Sequence, residues 1–173
     1  MLWTEDVIAS RVAELGAAIT DFYPDGDLLV LGLLKGSAIF LGDLIRRIRR
    51  PLKVDFLVAA SYGVGTASSG TVKLDYDPAT PLEGKHVLLV DDVVDSGKTL
   101  STLIDLLQAR RPQSVEVCAL LHKHVPAALH YPVRFVGFDA PREFLVGYGL
   151  DYAEELRHLP YIGSIVEQKS VQR

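Results

Sequence analysis

Residues 87–100, V-L-L-V-D-D-V-V-D-S-G-K-T-L, constrain the fold more than any other part of the chain. Residues 87–90 are an unbroken apolar run, the pattern of a strand buried on both faces in a parallel sheet. Asp91 and Asp92 follow at once, and Val93 and Val94 keep the segment anchored. Leu100, Leu103, Ile104 and Leu107 then recur at helical spacing. The turn at 95–99 therefore joins a strand end to a helix start, where backbone N–H groups lack intrahelical partners and the helix dipole favours an anion. Gly97 permits close backbone approach, and Ser96 and Thr99 add hydroxyl donors. The carboxylates of Asp91, Asp92 and Asp95 would repel a bare phosphate. The pattern thus calls for a divalent cation or sugar hydroxyls between, or for one carboxylate as a base. A nucleotide-binding P-loop is the first rival, because Gly97-Lys98-Thr99 matches its end, but that motif needs glycine where this chain has Asp92. An acidic strand end before an N-capped helix, with no ligand, is the plain alternative.

The rest of the chain alternates in the same way. Residues 4–22 show a helical apolar face through Val7, Ile8, Val12, Leu15 and Ile19, with Thr4 as the cap and Glu5 and Asp6 in the first turn. Residues 23–26 form a turn, and residues 27–34 a buried strand. Lys35-Gly36-Ser37 is a second small-residue turn suited to an anion, or a plain connection, before a helix expected over 38–49. Arg46, Arg47, Arg49 and Arg50 gather at the end of that helix, as a solvated helix end or a subunit interface. Residues 53–60 and 71–76 read as strands flanking 61–70, a small, polar, glycine-rich segment expected to be a mobile loop or a linker. Residues 115–121 form a strand that delivers Lys123 to its C-terminal end, where open α/β sheets bind ligands. Lys123, between His122 and His124, is otherwise an ordinary surface lysine. Residues 133–138 are a further strand. Propensity alone gives residues 144–165 a strand, a loop, a short helix and a strand, with an ordinary β-hairpin as the plain alternative and Phe144 either core or exposed. The alternation predicts an α/β fold: a parallel, doubly wound sheet with flanking helices and the strands at 87 and 115 central.

At 173 residues the chain is long enough for one domain with a core, and its 49% apolar and 23% charged content is that of a soluble globular protein. A net charge of −4 gives no general attraction for nucleic acid. No apolar run reaches the ~18 residues of a membrane span, and the start lacks the basic region of a signal peptide. Cys118, the single cysteine, lies in an apolar run and cannot form an internal disulfide. A cytoplasmic location is expected.

Residues 87–100 resemble the 5-phosphoribosyl-1-pyrophosphate (PRPP) signature of the type I phosphoribosyltransferases. From about residue 27 to 165 the chain is similar to their hypoxanthine-guanine branch, with four separated motifs in the family's order. The resemblance implies that Asp91 and Asp92 hold ribose hydroxyls and a hydrated Mg2+, and that Asp95, Ser96, Gly97 and Thr99 grip the 5′-phosphate. Lys98, in the same turn, takes no firm role. Asp95 would also be the acid/base near N7 of a purine. Lys35 and Gly36 would bind pyrophosphate, with a cis Leu34–Lys35 peptide. Ser61-Tyr62-Gly63 resembles the start of a catalytic loop in which Ser61 and Tyr62 cover the reacting sugar and pyrophosphate. Lys123 would donate to the purine 6-oxo group. An ammonium has donors only, so it pairs with a 6-oxo and not a 6-amino group. Residues 144–163 resemble the purine-binding hood. There Phe144 stacks on the base, backbone groups of Leu145 and near Asp151 read its edge, the Asp151 side chain contacts Mg2+, and Arg157 contacts pyrophosphate. Two positions depart from the pattern: Asp91-Asp92 where Glu-Asp is frequent, and Arg142 where an acid is common.

The implied whole is a single domain over 1–173, its core about 27–130 and a small hood about 131–166, built from the last strands with N-terminal residues over the C-terminal ends of the central strands. It would use Mg2+ and form a homodimer or homotetramer, with no nucleic-acid or membrane partner. The implied reaction joins the phosphoribosyl group of PRPP to N9 of a 6-oxopurine, in purine salvage. A PRPP-sensing nucleic-acid-binding regulator, a xanthine-preferring enzyme and a simple Mg2+–phosphate binding module are the alternatives.

Overall fold

The structure, a computed structural model, describes residues 1–60, 73–95, 97–123 and 131–165. Its main sheet has the order β3-β2-β1-β4-β5-β6. The strands are β1 (Leu28–Leu34), β2 (Lys53–Ala60), β3 (Lys73–Tyr76), β4 (His86–Val94), β5 (Ser114–His122) and β6 (Phe135–Asp139). Every neighbouring pair is parallel except β2–β3, so the expected parallel sheet carries one antiparallel edge strand. β1 and β4 hold the centre, whereas β5 stands one strand in from the edge formed by β6.

Side chains alternate across a strand, and the alternation here fills two cores. On one face Leu28, Val30, Leu88, Val90, Cys118 and Leu120 pack with residues of α1 (Glu5–Phe22) and α2 (Ala38–Ile45). On the other, Leu29, Leu31, Val87, Leu89, Val117 and Ala119 pack with α3 (Lys98–Gln108). Both faces of β4 are covered, which is why its run carries no polar alternation. Cys118 lies in register between Val90 and Phe135, fully buried, and burial pushes its thiol pKa up. No described helix is long and apolar enough to cross a membrane.

α1 starts as its sequence predicts, with the Thr4 hydroxyl accepting from the Val7 N–H at 3.4 Å. α2 ends at Ile45, four residues short of the expected end at 49. The following link is seated on α1: a Cβ at Gly16 would lie 2.3 Å from the Cβ of Arg47, and the Arg49 N–H donates to the Thr20 hydroxyl at 3.0 Å. The arginine cluster therefore lies beyond the helix, not in its last turn. The solvated-helix-end account fails outright for Arg50. Its guanidinium donates to the carbonyls of Tyr23, Asp25 and Gly26, closing the α1–β1 turn.

A ribbon of β7 (Leu145–Val146) and β8 (Gly163–Ser164) begins the hood. N-terminal residues join it, as expected: the Leu2 N–H donates to the Ile162 carbonyl at 2.8 Å, and the Ile162 N–H to the Trp3 carbonyl at 3.0 Å. The short helix expected between these strands is absent. Isolated bridges Gly147–Leu150 and Tyr152–Glu155 instead close two-residue loops. Their central residues Tyr148, Gly149, Ala153 and Glu154 have φ of 50°, 102°, 51° and 67°, left-handed at both positions as in a type I′ turn. Residues 151–157 are individually fair helix formers. The local bond from the Glu154 N–H to the Asp151 carboxylate, at 2.9 Å, overrides that preference.

Arg50→Lys keeps the charge but loses the planar fork that spans three carbonyls. It is expected to cost about 1–2 kcal/mol in urea unfolding, while leaving any activity of the folded protein unchanged.

Candidate active site

From β1 the chain passes through α2 to β2 on one side, and from β4 through α3 to β5 on the other. The strand order reverses between β1 and β4, and a crevice opens there at their C-terminal ends. The turn at 35–37 follows β1 and Asp95 follows β4, so the two candidate anion sites are neighbours. Lys123, at the end of β5, joins them.

β4 extends through the acidic pair to Val94, further than the apolar run alone implies. Successive side chains then face opposite ways. Asp91 lines a cavity of ≈150 Å³ with Asp95, Gly97, Thr99 and Leu100. Gly97, at φ 71°, occupies the N-cap position of α3, and no side chain caps that helix. The first-turn amides of α3 thus lie beside the cavity, where an anion could meet unpaired N–H groups. Asp92 turns toward the other loop: a Cβ on Gly36 would lie 1.9 Å from its Oδ2. Only glycine leaves room for that carboxylate. Burial, then the neighbouring Asp92 charge, pushes the Asp91 carboxyl well above the usual carboxylate range. Burial also raises Asp92, partly offset by its hydrogen bond with Asp91, by backbone N–H groups and by Arg157.

The Leu34–Lys35 peptide is cis. The Lys35 ammonium pairs with Glu154 at 2.9 Å. Arg157 pairs with Asp151 at 2.9 Å and Glu154 at 3.4 Å, and donates to the Gly149 carbonyl at 2.8 Å. Gly149 presses on the first loop, since a Cβ there would lie 2.2 Å from the Gly36 carbonyl oxygen. Lys35, Gly36, Asp151 and Arg157, far apart in sequence, are thus drawn into one cluster. Glu154 links them. Sequence reasoning did not single it out, and its only signal there is a charge three residues after Asp151.

Lys123 and Asp95 also meet, Nζ to Oδ2 at 3.4 Å. The lysine side chain is 14% exposed and the aspartate 60%. The Lys123 N–H donates to the Val94 carbonyl at 2.9 Å, which fixes its backbone beside β4. Phe144 is exposed and T-shaped to Tyr152 with ring centroids 5.7 Å apart, so it is no core residue. Leu145 is buried in β7, and Lys98 is exposed in the first turn of α3. Ser61, Tyr62 and Ser96 lie outside the described residues.

A model of the phosphoribosyl transferase domain matches residues 5–153. The chain is 46% identical over 164 residues to the hypoxanthine phosphoribosyltransferase of Salmonella typhimurium, covering 94% of this chain and 92% of that protein. It is 45% identical over 172 residues to the hypoxanthine-guanine phosphoribosyltransferase of Dictyostelium discoideum, covering 97% and 96%. The crystal structure of a hypoxanthine phosphoribosyltransferase from Staphylococcus aureus superposes with a TM-score of 0.91 at 42% identity, covering 96% of this chain and 90% of that one. The chain belongs to the phosphoribosyltransferase family, in its hypoxanthine-guanine branch.

The carboxylates of this phosphoribosyltransferase do not form a closed metal cage. Among the described residues no group of three or more His, Cys, Asp or Glu converges on one point. Hard oxygen donors on opposite walls of a crevice still fit Mg2+, which takes one or two carboxylates and completes its shell with water and phosphate oxygens.

The buried Asp91 has a consequence for stability. A carboxyl whose pKa rises on folding stabilises the fold at low pH and loses that contribution as pH climbs from its unfolded value, near ~3.9, through the folded one. At neutral pH, with chelator and no substrate, Asp91→Asn is therefore expected to raise the melting temperature by a few degrees. The gain should shrink as pH falls toward the unfolded value, and a thermal-unfolding series against pH measures both.

Proposed function

We propose that this phosphoribosyltransferase transfers the 5-phosphoribosyl group of PRPP to N9 of hypoxanthine or guanine, giving IMP or GMP and pyrophosphate, as an enzyme of purine salvage. The observation that carries the assignment is the Lys123–Asp95 pair at 3.4 Å, at the C-terminal ends of β5 and β4. O6 and N7 lie side by side on one edge of a 6-oxopurine. An ammonium donor and a carboxylate acceptor at that separation match the edge, with Lys123 on O6 and Asp95 at the N7 proton. A 6-amino group would leave the lysine facing a donor, a mismatch that costs affinity. The names of the relatives support the same substrates.

The C1′–oxygen bond to pyrophosphate breaks, N9 bonds to C1′, and the N7 proton passes to the Asp95 carboxylate. Positive charge builds on the sugar as the leaving group departs, and the neighbouring carboxylates stabilise it. The 5′-phosphate sits in the cavity of Gly97 and Thr99, with Ser96. Lys35, the Gly36 backbone and Arg157 hold the pyrophosphate, exchanging Glu154 for it. Phe144 stacks on the base, and Leu145 and the backbone near Asp151 read its edge. Ser61 and Tyr62 cover the sugar and exclude water. Asp91 and Asp92 on one wall and Asp151 on the other would hold Mg2+, which when bound neutralises and orients the pyrophosphate.

The chain 1–173 acts as a single domain, in the cytoplasm, and assembles as a dimer or tetramer. Exposed Val54, Phe56 and Tyr76 on the β2–β3 side of the sheet offer an apolar surface for a second copy.

Steady-state turnover with PRPP, Mg2+ and each of hypoxanthine, guanine, xanthine and adenine tests the assignment. Nucleotide is expected from the first two and not from adenine. Turnover of xanthine alone would revise the purine, and no turnover with any base would overturn the proposal. Asp95→Asn is expected to lower kcat by about 10²-fold or more while the KM for PRPP moves little. An unchanged kcat would remove Asp95 from proton transfer.

A further inference from the structure

Tyr148 lies in the hood between Gly147 and Gly149, buried, with φ 50°. Its hydroxyl donates to Asp43 Oδ2 at 2.7 Å. Burial first, and the Asp43 carboxylate second, push the phenol pKa upward, so the hydroxyl keeps the proton it donates. Asp43 belongs to α2, the helix that begins immediately after Lys35, Gly36 and Ser37. The same carboxylate lies 3.7 Å from Arg46, a longer and more exposed contact.

The bond joins the two halves of the pyrophosphate side of the crevice. One residue beyond Tyr148, Gly149 rests against the Gly36 carbonyl. The Gly149 N–H donates to the Arg157 carbonyl at 3.0 Å, and its own carbonyl accepts from the Arg157 guanidinium at 2.8 Å. Tyr148 and Asp43 themselves line a different cleft, of ≈340 Å³, with Glu5, Arg47 and His158. That cleft shares no residue with the phosphate cavity at Asp91 and Thr99. Neither member of the pair belongs to the set that meets the reacting groups.

We infer that the Tyr148–Asp43 hydrogen bond is a positioning device that holds the Lys35–Gly36 loop and the Arg157 arm of the hood in register for the pyrophosphate of PRPP. The inference rests on the proposed function for its substrate. It concerns one side of the crevice only: Lys123, Asp95 and Phe144, on the purine side, do not depend on this bond.

The test compares Tyr148→Phe, Asp43→Asn, Asp43→Ala and the double variant Tyr148→Phe/Asp43→Ala. Steady-state constants are measured for PRPP and hypoxanthine, with Mg2+–PRPP affinity by calorimetry and melting temperature in parallel. Tyr148→Phe is expected to raise the KM and Kd for PRPP by about fivefold or more, a fraction of what a hydrogen bond to a charged group supplies. The KM for hypoxanthine and kcat should stay within about twofold. Asp43→Asn keeps an acceptor oxygen and should recover most of the PRPP affinity lost in Asp43→Ala. The double variant should be no worse than either parent, because the pair acts as a unit. A lower melting temperature with unchanged PRPP constants would overturn the inference, as would equal losses toward both substrates or multiplicative effects in the double variant. Wild-type protein that binds PRPP but turns over no base would count against the proposed reaction alone, and the calorimetric comparison would still decide the role of Tyr148. Wild-type protein that does not bind PRPP would overturn both.

Discussion

The parallel ladder between β1 and β4 is the interaction on which the site depends. It runs in register from Leu28–His86 to Gly32–Val90. Because the strands are parallel, both release their loops at the same end. Because the chain leaves them in opposite directions, a crevice opens between those loops. Gly32 lets α2 close on the ladder, since a Cβ there would lie 2.5 Å from a Leu41 methyl. One pairing thus sets the distance between a cation-bearing turn and an acid-bearing strand end, and the contact of Asp92 with Gly36 follows from it.

Much of this was legible before any coordinates. An apolar run buried on two faces, acids after it and a glycine turn into an amphipathic helix admit few arrangements, and β4, its loop and α3 follow that order. Lys123 at a strand end was placed by the general geometry of open sheets. What the sequence could not carry were effects of partners distant along the chain. α2 ends early because Gly16 and Thr20 of α1 seat the next residues. Arg50 is a clamp because three carbonyls converge on it, and no local pattern marks that. The hood misleads propensity most. Ala153 and Glu154 favour helix singly, and they are held left-handed by Asp151 and by ion pairs reaching to Lys35.

Non-glycine residues in left-handed backbone conformations are costly, on the order of 1 kcal/mol or more each. The hood concentrates them at Tyr148, Ala153, Glu154 and Leu156. The contacts opposing that cost are those that gather Lys35, Asp151, Glu154 and Arg157 into one cluster. The Lys35–Glu154 pair is exposed at both ends, 70% and 67%. Exposed pairs are worth only ~0–1 kcal/mol. On the proposed function, Glu154 is accordingly a carboxylate that an incoming polyanion would displace at small cost, with Lys35 and Arg157 already gathered around it.

Cys118 offers something unrelated to catalysis. It is the chain's single thiol, sealed between β4 and β6 in the interior of the sheet. Its side chain packs in the core that α1 and α2 close over the sheet, next to the edge strand β6. Reagents therefore reach it only when that core opens. The chain carries its own clock for that event: alkylation in native buffer ticks at the rate, or the equilibrium frequency, with which the α1 side of the sheet is uncovered.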